Sequence, residues 1–193
     1  FILALEGTVY DIKYGSDGRY PTETEDFLLI QNLSTIDNEK GMYWTVTKKD
    51  GTVYTFGSSN VTEQVADNGR FSWKWHLDKI VDTYNDTIFY TYTKNPFPND
   101  RNATYLMNIS YNNDQKRRIE FVYENETRSD LWSGFEAGNT VRYTRRLVEI
   151  AALANNTQIR RYKLAYNTAD TTARSLLMNI TEIGSDNTST LPP

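Results

Sequence analysis

Leu147-Val-Glu-Ile-Ala-Ala-Leu-Ala-Asn-Asn-Thr-Gln-Ile-Arg-Arg-Tyr-Lys-Leu-Ala-Tyr166 has two incompatible readings. Leu147, Ile150, Ala151 and Ala154 fall at three- and four-residue spacing, which taken alone invites a helix over 145–156. The same letters also spell Leu-x-x-Ile, a short polar turn, and an alternating strand through Tyr162, Leu164 and Tyr166. The second reading is preferred because the unit recurs. Leu77-Asp-Lys-Ile80 is followed by Ile88, Tyr90 and Tyr92, and Leu106-Met-Asn-Ile109 by Ile119, Phe121 and Tyr123. A fourth copy opens at Leu177-Met-Asn-Ile180 and reads as truncated by the end of the chain. A three-residue step breaks the two-residue period of a strand, so each Leu-x-x-Ile predicts a bulge or bend that returns both side chains to one face.

Strand signals extend outward from these units. Tyr43 to Gly57 is two alternating runs around Asp50-Gly51, a dipeptide that supplies the positive φ of a hairpin turn. Phe71 to Leu77 alternates with period two, as does Ile88 to Tyr92. Asn95-Pro-Phe-Pro-Asn-Asp100 reads as a loop, because its prolines cannot donate to a ladder. Gly15 to Gly18 and Gly134 to Gly138 read as turns. The expected fold is all-β: repeated antiparallel hairpins forming one extended, curved sheet, in a single module over 1–193.

Composition excludes several functions. The chain of 193 residues has no cysteine and one histidine, which removes disulfide scaffolds, thiolate metal sites, cysteine nucleophiles and two-histidine metal sites. Net charge −4 argues against a nucleic-acid groove. A mean hydropathy of −0.65 and the lack of a long apolar run give no membrane span. Aromatic content of 13%, with 14 tyrosines, is too high for a disordered segment. Phe1 stands where an initiator methionine would, and the expectation is a fragment of a longer polypeptide, the alternative being a naturally trimmed secreted chain.

Nine Asn-X-Ser/Thr triplets occur, at Asn32, Asn60, Asn85, Asn102, Asn108, Asn125, Asn155, Asn179 and Asn187. With 18 Asn and 35 Ser plus Thr, chance gives roughly three. The enrichment predicts a secreted glycoprotein carrying N-glycans on its polar face. The competing account is an Asn/Thr-rich bacterial β-protein whose turns gather such triplets without sugar.

No catalytic constellation emerges. His76, in an alternating run, reads as a strand histidine. Asp78, Asp82 and Asp86 lack the compact loop and glycine of a calcium site and read as turn and strand-end residues. Arg117-Arg118, Arg145-Arg146 and Arg160-Arg161 each adjoin a strand and are expected to pair with Glu120, Glu124 or Glu149. Trp73, Trp75, Tyr90, Tyr92, Phe121 and Tyr123 read as packing residues rather than a sugar-stacking platform. No cofactor is implied.

The repeat, together with Trp44 to Gly57 and Trp75-His-Leu-Asp-Lys-Ile-Val-Asp82, resembles the N-terminal region of the SpvB and TcB proteins of bacterial Tc toxin complexes, relatives of the RHS/YD-repeat shells. Further matches are Tyr20-Pro-Thr-Glu23, Ile119 to Glu124, Arg146-Leu147, Arg161 to Tyr166, Arg174 to Leu177 and Leu191-Pro-Pro193. The resemblance runs in order along nearly the whole chain. It departs at Thr83 to Thr87, where a sequon replaces the family's Asn-Gly-Asn turn. In that family the shell encloses a C-terminal effector and the ADP-ribosyltransferase lies in other domains, so the resemblance implies a shell segment with no catalytic residues.

Two functions follow as expectations. One is a non-catalytic structural module of a secreted, N-glycosylated shell or scaffold, joined by β-pairing to neighbouring domains or copies of itself. Its repeat core would be Leu77, Ile80, Leu106, Ile109, Leu147, Ile150, Leu177 and Ile180. The alternative is an extracellular carbohydrate- or protein-binding β-module of a toxin-like protein.

Overall fold

The structure, a computed structural model, describes residues 1–15 and 19–190. Leu191-Pro-Pro193 and most of the Gly15–Gly18 turn lie outside the described residues. Strand and turn account for the described chain, with no helix in it. The chain divides into two compact units, Phe1–Thr87 and Ile88–Pro193.

The first unit contains β1 (Ile2–Leu5), β2 (Thr8–Asp11), β3 (Leu29–Ser34), β4 (Met42–Thr47), β5 (Val53–Phe56), β6 (Glu63–Val65), β7 (Ser72–Trp75) and β8 (Leu77–Val81). Its main sheet runs β8-β5-β4-β3, with β1-β2 and β6-β7 as separate ribbons. Leu3, Leu5, Ile12, Ile30, Val46 and Tyr54 form its core. The β4–β5 hairpin turns at Asp50-Gly51 as the dipeptide predicts, with Gly51 at φ +86°.

The expected strand over Phe71 to Leu77 is two strands instead. β7 pairs with β6, while β8 pairs with β5. The chain changes partner at His76, whose N–H donates to Thr62 O at 2.7 Å and whose carbonyl accepts from Gly57 N at 2.9 Å. Period-two alternation continues through such a corner because each half keeps its own extended backbone, so the pattern gives no sign of it.

The second unit contains β9 (Thr87–Lys94), β10 (Thr104–Tyr111), β11 (Arg117–Tyr123), β12 (Trp132–Glu136), β13 (Asn139–Tyr143), β14 (Leu147–Ala154), β15 (Thr157–Thr168) and β16 (Ser175–Ile183). Its main sheet runs β16-β15-β14-β11-β10-β9 and is antiparallel at each of these joins. The helical reading of 145–156 fails at Asn155-Asn156. Both residues take positive φ, +50° and +62°, making the two-residue turn that joins β14 to β15. Gly134 is likewise no turn residue: it lies inside β12 opposite Val141, and the turn is Ala137-Gly138 at φ +46° and +78°. Tyr105, 2% exposed, centres the unit's core, with Phe97, Tyr123 and Tyr143 edge-on to it at 4.7–5.3 Å.

Candidate functional site

Each Leu-x-x-Ile carries a register break. Opposite the preceding strand, Leu77 and Lys79 face Phe56 and Thr55, leaving Asp78 as the extra residue. Leu106 and Asn108 face Tyr92 and Thr91, so Met107 bulges. Leu147 and Glu149 face Tyr123 and Val122 across Val148, and Leu177 and Asn179 face Tyr166 and Ala165 across Met178. All four breaks fall on the residue after the leucine, as the parity argument requires. Leu and Ile then oppose apolar partners in pairs: Ile109 faces Tyr90, Ile150 faces Phe121 and Ile180 faces Leu164.

A bulge leaves backbone groups out of ladder register, and these need other partners. Two tyrosines supply them. Tyr123 Oη donates to Leu106 O at 3.0 Å, and Tyr166 Oη to Leu147 O at 2.7 Å. Burial, with Tyr105 and Tyr143 nearby, pushes the Tyr123 phenol up from 10.0 to about 12, and burial raises Tyr166 as well, so both stay protonated donors. At the first bulge the extra residue is the acid. Asp78 accepts Ser58 N at 2.7 Å and Thr62 Oγ1 at 2.5 Å, and burial raises its carboxyl despite those bonds. Asp82 accepts Tyr84 N and Asp86 N, the turn role expected of it. Among the described residues no group of three or more His, Cys, Asp or Glu is placed to hold a metal.

One member of each basic pair lies near an expected acid, although Arg118 reaches Glu120 along its own strand rather than across. Arg146 grips Glu124 through Nε and Nη2 at 2.7–3.1 Å, Arg118 meets Glu120 at 2.6 Å and Arg161 lies 3.6 Å from Glu149. Arg160 pairs with Glu182 instead, at 2.9 Å. Arg145 turns inward. It stacks over Phe97 at 4.8 Å and donates to Thr127 and Thr144, so it is a packing cation rather than a strand-face charge.

Composition gave no sign of the node at Asp130. Its carboxylate takes Arg128 Nε and Nη2 at 3.0 and 2.9 Å and Ser175 N and Oγ at 2.7 and 2.6 Å. Arg146 Nη1 also donates to Ser175 Oγ, at 2.8 Å. Together they fasten the long connection after β11 to the first residue of β16. Arg128, Arg146 and Ser175, with Trp132, Tyr143 and Tyr166, line a cleft of about 390 Å³. Its arginines at 128 and 146 are paired with Asp130 and Glu124, respectively.

β16 is the outer strand of the sheet in this unit. Leu176, Leu177 and Ile180 are each 49% exposed and Met178 60%. Ile183 pairs with Arg161 on β15 and, on its other side, bridges to Thr190. In the second unit the last Leu-x-x-Ile pair, Leu177 and Ile180, has a partner on one side only among the described residues.

The nine sequon asparagines are spread over both units. Asn60, Asn85, Asn125, Asn155, Asn179 and Asn187 are exposed, whereas Asn32, Asn102 and Asn108 are half-buried. Asn102 Nδ2 donates to Thr140 O at 2.9 Å, and Asn32 Nδ2 to Tyr43 O at 3.4 Å. Of the six aromatics weighed as a platform, Trp75 packs edge-on to Trp44 and Tyr123 to Tyr105.

No family model matches the sequence, and no curated protein matches it significantly. Solved structures do. The chain superposes on a TcdB2-TccC3 crystal structure with TM-score 0.74 at 16% identity, over 97% of its own length and 12% of that chain. The Photorhabdus luminescens Tc holotoxin pore gives TM-score 0.74 at 16% identity, with 98% of this chain and 12% of that one covered. The N-terminal domain of effector protein SpvB from Salmonella typhimurium strain LT2 gives 0.69 at 14%, covering 91% of this chain and 70% of that one. The chain therefore spans about an eighth of the Tc chains it matches, and its fold is the one shared by the SpvB N-terminal domain and that segment of the Tc toxin components.

Proposed function

We propose that the chain is a non-catalytic structural module of a secreted, N-glycosylated SpvB/TcB-like shell or scaffold, and that it assembles by strand pairing at β16. One observation carries this reading. The bulged hairpin series runs in regular order across the second unit and, among the described residues, ends at an outer strand whose Leu176, Leu177, Met178 and Ile180 are half exposed. An uncovered strand of this kind presents free N–H and C=O groups beside apolar side chains, a template for another strand. The expected neighbour is further polypeptide of the same assembly or a second copy of the chain. Exposed sequons fit such an assembly, since sugars on polar turns block wrong edge-to-edge contacts while leaving the seam open.

Light scattering on the 193-residue chain, paired with hydrogen exchange along Leu177 to Ile183, tests the reading. Self-association, or a monomer with fast exchange in that segment, is expected. A stable monomer in which the segment is already strongly protected would end it. The alternative of a carbohydrate- or protein-binding module draws on the cleft beside Trp132 and Tyr143. Trp132→Ala should leave assembly intact under the structural reading and abolish ligand capture under the other.

A further inference from the structure

We infer that the strand completing β16 follows a sequence rule already written into this chain, an aliphatic or aromatic residue, then apolar, then Tyr at two-residue spacing, and that its tyrosine hydroxyl bonds to Leu177 O. The inference rests on the proposed strand addition at β16 and specifies the partner's chemistry. In the second unit, Ile109 faces Ile119, and the capping Tyr123 lies four residues after that partner. Ile150 faces Tyr162, and the capping Tyr166 again lies four residues later. Halfway between stand Phe121 and Leu164, both on the same face by strand parity. The two joints therefore obey one rule: an aliphatic or aromatic residue (Ile119, Tyr162) opposite the isoleucine, an apolar one two residues on, tyrosine two further, its hydroxyl returned to the leucine carbonyl three residues before that isoleucine.

Leu177-Met178-Asn179-Ile180 repeats the acceptor half of this joint. It has the same bulge after the leucine, and Tyr166 faces Leu177 as Tyr123 faces Leu147 and Tyr92 faces Leu106. At the two earlier joints the leucine carbonyl next to the bulge takes its bond from the following strand. No strand follows β16 among the described residues, but the Ile183–Thr190 bridge shows that its outer side accepts antiparallel pairing. A tyrosine suits the place because its hydroxyl reaches past a bulge where no main-chain N–H is in register, while the ring covers the leucine.

The test extends the full chain at its C terminus by a flexible Gly/Ser linker and a copy of residues 117–124 (Arg-Arg-Ile-Glu-Phe-Val-Tyr-Glu). Two companions carry Phe for the tyrosine of the added strand, or the linker alone. Tethering raises the effective concentration so that a weak strand contact is populated. Hydrogen exchange along Leu177 to Ile183 should slow at least tenfold with the tyrosine strand, and about fivefold less with the phenylalanine strand, one net hydrogen bond apart. Equal protection by the two strands would overturn the tyrosine rule while leaving strand addition standing. Protection no greater than with the linker alone would overturn both.

Discussion

Tyr166 touches two neighbouring strands at once: its hydroxyl bonds to Leu147 O at 2.7 Å, while its backbone stands opposite Leu177. Tyr123 does the same between Leu106 and Leu147. Each tyrosine thus joins the leucine of its own repeat to the leucine of the next. The bulge creates the need, since an extra residue unmatches the ladder, and the tyrosine meets it from the side chain. Tyr166→Phe keeps the ring and removes the bond, leaving a carbonyl without its donor. The expected cost is about 1–2 kcal/mol of unfolding free energy, measured by urea denaturation, with a larger loss for Tyr166→Ala. A phenylalanine variant as stable as the parent would show that water replaces the hydroxyl without penalty.

Alkaline stability should report the same joint. The Tyr123 phenol is raised to about 12 by burial, above the ordinary 10.0 it regains on unfolding. The unfolded chain then loses the proton first, so stability is full below pH 10 and falls between pH 10 and about 12. Thermal melts across that window should fall more steeply for the parent than for Tyr123→Phe. Parallel curves for the two proteins would contradict the assignment.

At the acid limb the sign reverses. Arg128, then Ser175, hold the Asp130 carboxyl well below the usual carboxylate range. Its contribution is present above the unfolded value, about 3.9, and is lost as the pH falls below that. Asp130→Asn should destabilise the protein at neutral pH, flatten the acid limb, and speed exchange at the start of β16. The last effect separates this node from a surface ion pair, whose removal is nearly silent.

Much of this was legible because strands advertise themselves. The Leu-x-x-Ile repeat located the bulges, Asp50-Gly51 located a hairpin, and the repeat correctly outweighed the helical spacing of Leu147, Ile150, Ala151 and Ala154. The structure bears this out at Asn155-Asn156, since two adjacent left-handed residues end any helix. What was hidden depends on partners distant in sequence. The corner at His76 leaves alternation undisturbed. Asp130 and Ser175 lie 45 residues apart, and nothing in either neighbourhood marks them. Arg145 and Arg146 are adjacent and identical in type, yet one stacks on Phe97 and the other grips Glu124, a difference set by the path of the connection between β13 and β14.

Glycan occupancy should follow the geometry of the asparagines. Asn60, Asn85, Asn125, Asn155, Asn179 and Asn187 are exposed, while Asn102 already spends its amide nitrogen on Thr140 O. That nitrogen is the atom a glycan would substitute. Intact mass of the protein from its natural source before and after enzymatic deglycosylation, followed by peptide mapping, should find sugar at the exposed positions and little at Asn102. An unchanged mass would return the triplets to the account of unmodified, Asn-rich turns.

Gly57 is the position where one methyl group should do most harm. Its φ is +71°, and a Cβ added there would lie 2.2 Å from Cδ1 of Trp75 and 2.9 Å from its Cβ. The indole cannot swing clear easily, because it is edge-on to Trp44 at 5.8 Å and to Phe1 at 6.5 Å. The backbone is equally committed: Gly57 N donates to His76 O, and its carbonyl takes Asn38 Nδ2 at 2.7 Å. Gly57→Ala therefore combines left-handed strain of about 1–2 kcal/mol with overpacking of about 1–3 kcal/mol. The expected loss is about 3 kcal/mol of stability, with tryptophan fluorescence altered because the ring nearest the change is Trp75. Gly69→Ala is the control: its φ is +68°, but nothing lies within 4 Å of the added carbon. It should show the strain alone, about 1 kcal/mol, with unchanged fluorescence. Equal losses in the two variants would mean that the Trp75 contact contributes nothing.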